Sequence, residues 1–298
     1  MWGGVAAALA MAAYLATGTV LIGPAPADVG APPADLGGES LTFPSASGAR
    51  LAAWSIPGAC SCGSIVLLHG VRANRSHLEN RARLFREAGY AVLAVDLQAH
   101  GESEGEHITF GHLERLDAQA AVAVARDRFS GQPVAVVGVS LGGAAAALAG
   151  PDLGADAVVL EAVYADIASA TRNRLGRRLG RAGALLAPAF LAQLPLRTGV
   201  RAQDLAPRRT VGALGAPVLI VAGTDDAHTT PADTRRLYEA AAPPKSLGWV
   251  QGAQHVDFLD YAPESYRERV LGFLRQTLPR AIPPDGQRTR NRLTTVLP

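Results

Sequence analysis

Residues 133–149 read PVAVVGVSLGGAAAALA, and this stretch decides the fold. Pro133–Val139 is a short apolar run without alternation, which suits a strand buried on both faces of a parallel sheet. Leu141–Ala149 is alanine-rich and helical. The join between them is Gly138-Val139-Ser140-Leu141-Gly142, a G-x-S-x-G pentapeptide in a strand–turn–helix setting. Such a turn holds its serine in strained backbone geometry. The flanking glycines let strand and helix approach closely. The hydroxyl of Ser140 is then presented at the carboxyl edge of the sheet, which makes it a candidate nucleophile.

The same alternation extends outward on both sides. Ser64–His69, Tyr90–Asp96, Ala155–Leu160, Pro217–Ala222 and the segment 246–251 read as further strands. Helical stretches are expected at about 76–88, 112–128, 231–242 and 262–277, and residues 41–56 as a leading hairpin. Strands alternating with helices make βαβ units and an α/β fold. The segment 163–212 breaks the pattern. It is helix-leaning, interrupted by Pro188, Pro195 and Pro207, and reads as a helical lid inserted between two strands.

A serine nucleophile needs a base, and the base needs an orienting acid. After such an elbow the expected chain order is serine, acid, histidine. Two histidines follow Ser140. His255 sits in a loop between the strand 246–251 and the final helix, where it can reach over the sheet edge, and is the candidate base. His228 lies close to the acid candidates and reads as an exposed loop residue. Asp225 and Asp226 both end the strand 217–222, and residue physics leaves the two open, with Asp257 as a weaker third. Oxyanion donors are expected from the backbone N–H of Leu141, directly after the nucleophile, and of Val71, in the loop His69-Gly70-Val71. His69 itself reads as structural.

These residues resemble the α/β-hydrolase fold superfamily over about residues 40–278, with the nearest likeness to serine-aminopeptidase-like and Bem46-like hydrolases. Leu67-Leu68-His69-Gly70 is similar to the oxyanion-loop motif of that group. Asp96–Ser103 is similar to its D-x-x-G-x-G-x-S segment, with Ala99 where glycine is usual. The resemblance places the acid three residues after Gly223, at Asp226, with Asp225 as runner-up. It implies an α/β-hydrolase with a mostly parallel sheet, a helical lid and a Ser-Asp-His triad. The activity implied is serine hydrolysis of ester, thioester or lipid-like acyl substrates. A peptidase of the same fold and a non-catalytic, membrane-anchored interaction module are the alternatives. A basic lid does not suit capture of a substrate amino group, which weakens the peptidase reading.

Composition bounds the rest. The chain has 298 residues and a formal net charge of +2, which excludes a generally basic nucleic-acid binder. That near-neutrality conceals asymmetry. Residues 163–212 hold nine arginines against Asp166 and Asp204. Arg172, Arg174, Arg177, Arg178 and Arg181 read as a solvated face or as a surface for anionic groups. The two cysteines, Cys60 and Cys62, form no disulfide framework and no zinc site, and read by default as free thiols, with a strained disulfide between them the alternative if the domain is extracytoplasmic. The histidines and glutamates of residues 100–112 fit no zinc spacing and read as a surface loop. No metal and no cofactor is implied.

The ends differ from the body. Residues 2–22 are uncharged and about long enough, as a helix, to span a hydrocarbon core. The reading is a transmembrane anchor, with a cleaved signal and a secreted or periplasmic protein as the alternative. Residues 23–39 form a Pro/Ala-rich linker, and 279–298 a disordered basic tail.

Overall fold

The computed structural model of the protein describes residues 2–60 and 62–278. The basic tail at 279–298 lies outside the described residues.

Among the described residues, ten strands form two sheets. The main sheet contains β2 (Glu39–Pro44), β3 (Arg50–Ile56), β4 (Ser64–Leu68), β5 (Ala91–Val95), β7 (Val134–Val139), β8 (Ala157–Glu161), β9 (Val218–Gly223) and β10 (Lys245–Val250). The second is a two-residue parallel pairing of β1 (Ala25–Pro26) with β6 (His100–Gly101). The main sheet runs β10-β9-β8-β7-β4-β5-β3-β2. All its pairings are parallel except β2–β3 and β3–β5. The leading hairpin of the sequence is therefore the antiparallel edge of a parallel sheet.

Every residue of β4, β5, β8 and β9 is buried. Strand side chains alternate between faces, and two apolar clusters result. Val66, Leu68, Val136, Val158 and Ile220 belong to one. Ile65, Leu67, Val137, Val159 and Leu219 belong to the other. The first is covered by α3 (Glu114–Arg128), α4 (Leu141–Ala149) and α8 (Pro231–Ala240), which contribute Ala121, Ala144 and Leu237. The second is covered by α2 (Glu79–Glu87), α9 (Phe258–Tyr261) and α10 (Pro263–Thr277), through Phe85, Phe258 and Leu274. Local chemistry starts these helices where the sequence suggests. Thr230 caps α8, with Asp233 closing the capping box and Pro231 in the first turn.

The strand order reverses at β4, which lies between β5 and β7. In open α/β sheets the crevice outside the carboxyl ends of the strands at such a point is where ligands bind. The segments leaving β4 and β7 begin with His69 and Ser140.

The insertion forms α5 (Ile167–Leu185), α6 (Ala187–Leu191) and α7 (Leu194–Thr198), then short 3-10 turns to residue 213. Asp166 caps α5, its carboxylate accepting the Ser169 N–H at 2.8 Å. Gly180 takes a left-handed φ of 66° inside α5 and breaks it there. Pro188 and Pro195 occupy the first turns of α6 and α7, where a missing N–H costs nothing.

The N-terminal segment is helical, α1 (Trp2–Ile22), and its second half is docked on the insertion. The Tyr14 hydroxyl donates to the Ala189 carbonyl at 2.6 Å, and its ring meets Phe190 edge-on at 6.1 Å. Arg197 donates to Leu15 O at 2.6 Å and Thr19 Oγ1 at 2.7 Å. Ile22 is buried, and its carbonyl accepts the Ile108 N–H at 2.7 Å. Among the described residues no single helix is long and apolar enough to cross a membrane.

Two further expectations are corrected. Cys60 and Cys62 are joined as a disulfide before β4 rather than being free thiols. The surface-loop reading holds for Glu102, Glu104 and Glu106, which are exposed, but not for His100. His100 is fully buried, its ring edge-on to His69 at 5.0 Å. Asp96, held by Arg75 and by the Glu102 N–H at 2.9 Å, ties the segment down. Ala99 there takes a φ of 60°, the left-handed conformation in which glycine is unstrained.

A buried ion cluster joins α2, β8 and α10. Arg81 donates to Glu161 at 2.6 Å and pairs with Asp257, while the Tyr266 hydroxyl donates to the other Glu161 oxygen. Burial opposes the Arg81 charge, but Glu161, Tyr266 and Asp257 outweigh it and hold its pKa well above the usual value. Removing one partner of a buried pair strands the other charge, at about 3–5 kcal/mol. Arg81→Met is expected to lower unfolding stability by about that amount, read as a shifted urea midpoint. Loss of less than about 1 kcal/mol would mean the cluster is solvated in solution.

Candidate active site

Ser140 stands between β7 and α4 with φ 50° and ψ −104°, a strained conformation for a residue with a side chain. Its N–H donates to the Glu161 carbonyl at 2.7 Å, and the Gly142 N–H to the His69 carbonyl at 3.0 Å. These bonds tie the turn to the ends of β8 and β4. A side chain at Gly142 would overlap the Leu68 carbonyl, and one at Gly138 would meet the Gly143 backbone. Both glycines are therefore required by close approach.

His255 lies in the loop after β10, and its Nδ1 is 2.7 Å from Asp226 Oδ2. Asp226 is 2 % exposed. It also accepts the N–H groups of His228 at 2.7 Å and Thr229 at 2.9 Å, and the Thr229 hydroxyl at 2.6 Å. Burial opposes its ionisation, but the hydrogen bond from His255, that ring's charge and the Thr229 bonds hold its pKa down at about 2. Asp225 is exposed and turned aside, its Oδ1 accepting the Thr224 hydroxyl at 3.1 Å. Asp257 is engaged with Arg81 and caps α9. Of the three acids considered, the structure brings Asp226 to His255.

Two cavities meet here. The first is walled by apolar side chains, among them Leu21, Ile22, Phe110, Leu175, Phe190 and Leu194. The second runs past His69, Gly70, Ala73 and His77. Val71, Ser140, Arg174 and His255 line both. A Cβ at Gly70 would lie 3.7 Å from Ser140 Cβ, so the loop after β4 runs beside the serine. The backbone N–H groups of Val71 and Leu141 donate to no other described residue.

His69 is fully buried and makes no part of the cavity's free donors. Its Nε2 accepts the Leu97 N–H at 3.0 Å, and Nδ1–H donates to the Gly70 carbonyl at 2.7 Å. Burial, then the nearby His100, lowers its pKa to about 3. A histidine depressed in the fold contributes stability that is complete above its unfolded pKa of about 6.5. That contribution is lost progressively as pH falls from there towards 3. His69→Asn should therefore cost about 1–3 kcal/mol at pH 7. The gap from wild type should narrow as pH falls below 6.5, as urea unfolding at stepped pH would show. A pH-independent gap would exclude a neutral, buried His69.

Two neighbours of the site were not legible in the sequence. His228 is not an exposed loop residue. It is half-buried and stacks on His255, with ring centroids 5.3 Å apart and planes 12° from parallel. Burial, then the Arg174 charge, lowers its pKa. Arg174, from the middle of α5, reaches the junction of the cavities. Among the described residues, no group of histidine, cysteine and acidic side chains is arranged to hold a metal ion.

The family model described as serine aminopeptidase S33 matches residues 59–196. The Bacillus subtilis protein YqkD is 27% identical over 239 residues, covering 79% of this chain and 78% of its own. The Salmonella typhimurium protein YfhR is 26% identical over 271 residues, 86% of this chain and 85% of its own. Among solved structures, the Pyrococcus furiosus esterase Pf2001 superposes with a TM-score of 0.71 at 23% identity, covering 87% of this chain and 99% of that one. The Paleococcus ferrophilus monoacylglycerol lipase superposes with a TM-score of 0.55 at 23% identity, covering 76% and 99%.

Proposed function

We propose that the chain, which matches a serine aminopeptidase S33 family model over residues 59–196 and resembles an esterase in fold, is a serine hydrolase that cleaves acyl esters, thioesters or lipid-like acyl groups through Ser140, His255 and Asp226. The observation that carries this reading is the alignment of His255 by Asp226 at 2.7 Å beside a strained Ser140 in a shared cavity. Asp226 fixes the His255 tautomer with Nδ1 protonated. Nε2 is then free to take the Ser140 proton as the hydroxyl oxygen attacks the acyl carbon. The Val71 and Leu141 N–H groups receive the oxyanion, each worth about 10²–10³ in rate. Protonated His255 gives its proton to the leaving oxygen or sulfur. Water then repeats the sequence on the acyl-enzyme and frees the acid.

The apolar first cavity suits an acyl chain, and the segment 163–212 acts as a lid over it, since α5, α6 and α7 furnish much of its wall. The serine-aminopeptidase description of the family model keeps a peptidase in view. Such an enzyme needs an acid to hold the substrate amino group. No acidic residue lines the first cavity, and the one in the second, Asp257, is paired with Arg81. Membrane attachment through residues 2–22 is a further part of the proposal. It is favoured by exposed Val5, Met11, Leu15 and Val20 on α1, and vesicle co-sedimentation tests it.

The deciding experiment is labelling with a fluorophosphonate, together with turnover of p-nitrophenyl esters of rising chain length. A labelled protein with an optimum chain length is the expected result. A folded protein that neither labels nor turns over any ester, with or without anionic vesicles, would overturn the reading in favour of an interaction module.

A further inference from the structure

Several arginines that leave the bulk solvent are paired, while half-buried Arg86, Arg174 and Arg269 have no hydrogen-bond or ion-pair partner among the described residues. Arg75 is matched by Asp96 and Glu102, and Arg81 by Glu161 and Asp257. Arg197 is spent on the carbonyl of Leu15 and the hydroxyl of Thr19. Of Arg86, Arg174 and Arg269, Arg174 is the one that lines the cavities at Ser140. It is half-buried, and its guanidinium has no hydrogen-bond or ion-pair partner among the described residues. It is also one of only four residues that line both cavities, the others being Val71, Ser140 and His255. A cation half-withdrawn from water without a counter-charge is costly. A guanidinium is shaped to receive carboxylate or phosphate oxygens through paired N–H donors.

The carboxylate nearest in influence, Asp226, does not answer it, because its oxygens are already taken by His228, Thr229 and His255. Stacked His228 adds a second free polar group at the same wall. Its Nδ1 is buried and has no partner. Burial, then Arg178, disfavours the Arg174 charge, with only Asp226 supporting it, and an incoming anion would relieve that imbalance.

We infer that Arg174 is a specificity-determining residue that binds an anionic group, a carboxylate or phosphate, carried by the substrate close to its scissile acyl bond. The inference rests on the hydrolase reading above and narrows its substrate class to acyl compounds with an apolar chain and a nearby negative charge. Because Arg174 borders both cavities, the charge sits on the acyl portion or on the leaving group, and matched substrates separate the two.

The test compares kcat/KM within two pairs on the whole chain. The acyl pair is p-nitrophenyl hemiglutarate against p-nitrophenyl valerate. The leaving-group pair is 1-butyryl-glycerol 3-phosphate against 1-butyryl-glycerol. The expected result is a preference for the anionic member of one pair, reduced about 10–100-fold in Arg174→Gln and partly kept in Arg174→Lys. An anionic-to-neutral ratio that Arg174→Gln leaves unchanged in both pairs overturns the inference. Fluorophosphonate labelling of each variant confirms an intact serine. The same pairs titrated calorimetrically into Ser140→Ala read binding without turnover. Anion preference there, lost in Ser140→Ala/Arg174→Gln, sustains the inference even if the hydrolase reading fails. Neutral-ester turnover with no anion preference in either assay sustains the hydrolase reading and removes this one.

Discussion

Ser140→Ala is expected to lower kcat on a short p-nitrophenyl ester by about 10⁶-fold, the scale on which enzymes with this triad lose turnover when serine or histidine is removed. The protein should fold normally, because alanine replaces one oxygen at a turn already held by the Ser140 N–H and the glycines around it. His255→Ala should cost nearly as much, and the double variant little more, since the two act as one unit. A residual rate above water is expected from the unpaired Val71 and Leu141 donors. Turnover and fluorophosphonate labelling measured side by side decide the matter. Wild-type turnover in Ser140→Ala would place the chemistry elsewhere.

Asp226→Asn comes next, at about 10⁴-fold in kcat. An ionised Asp226 presents only acceptors, and four donors converge on its two oxygens. An amide keeps one acceptor oxygen and turns an NH₂ towards either Thr229 or His255. Facing His255, it stabilises the tautomer with Nε2 protonated, which cannot take the serine proton. Asp225→Asn should change kcat little, since Asp225 contacts only Thr224 by its side chain. Equal losses in the two variants, with unfolding midpoints unchanged, would remove Asp226 from the proposed role.

The depressed Asp226 pKa also carries a stability sign. A carboxylate lowered in the fold contributes above its unfolded value near 4 and loses that contribution as pH falls towards 2. Acid unfolding of Asp226→Asn should therefore lack that share of the decline.

What could be read without coordinates was local. The apolar runs that became β4, β5, β7, β8 and β9 are buried on both faces, so their composition alone marked them. The Ser140 turn was readable because its glycines serve contacts within a few residues or with the adjoining strand. Asp226 against Asp225 was not separable by composition, since both end β9 and only side-chain direction distinguishes them. His228 and the docking of α1 were harder still. Each owes its place to a partner far along the chain, and no periodicity records that His228 stacks on His255 or that Tyr14 meets Phe190. The segment around His100 misled for a related reason. Its glutamates are surface residues, as they look, but His100 is buried beside them, where Arg75, Asp96 and Glu114 satisfy the buried polar groups internally.

The docking of α1 also has a consequence for biosynthesis. Tyr14 and its acceptor Ala189 are 175 residues apart in the chain. At about 5–20 residues per second, roughly 10–35 s pass between synthesis of the helix and synthesis of its binding face. For that interval the face of α1 that meets Ala189, Phe190 and Arg197 has been made and its partners have not. Docking of α1 on the insertion, and with it closure of the first cavity on that side, can follow only once residues 189–197 have been made.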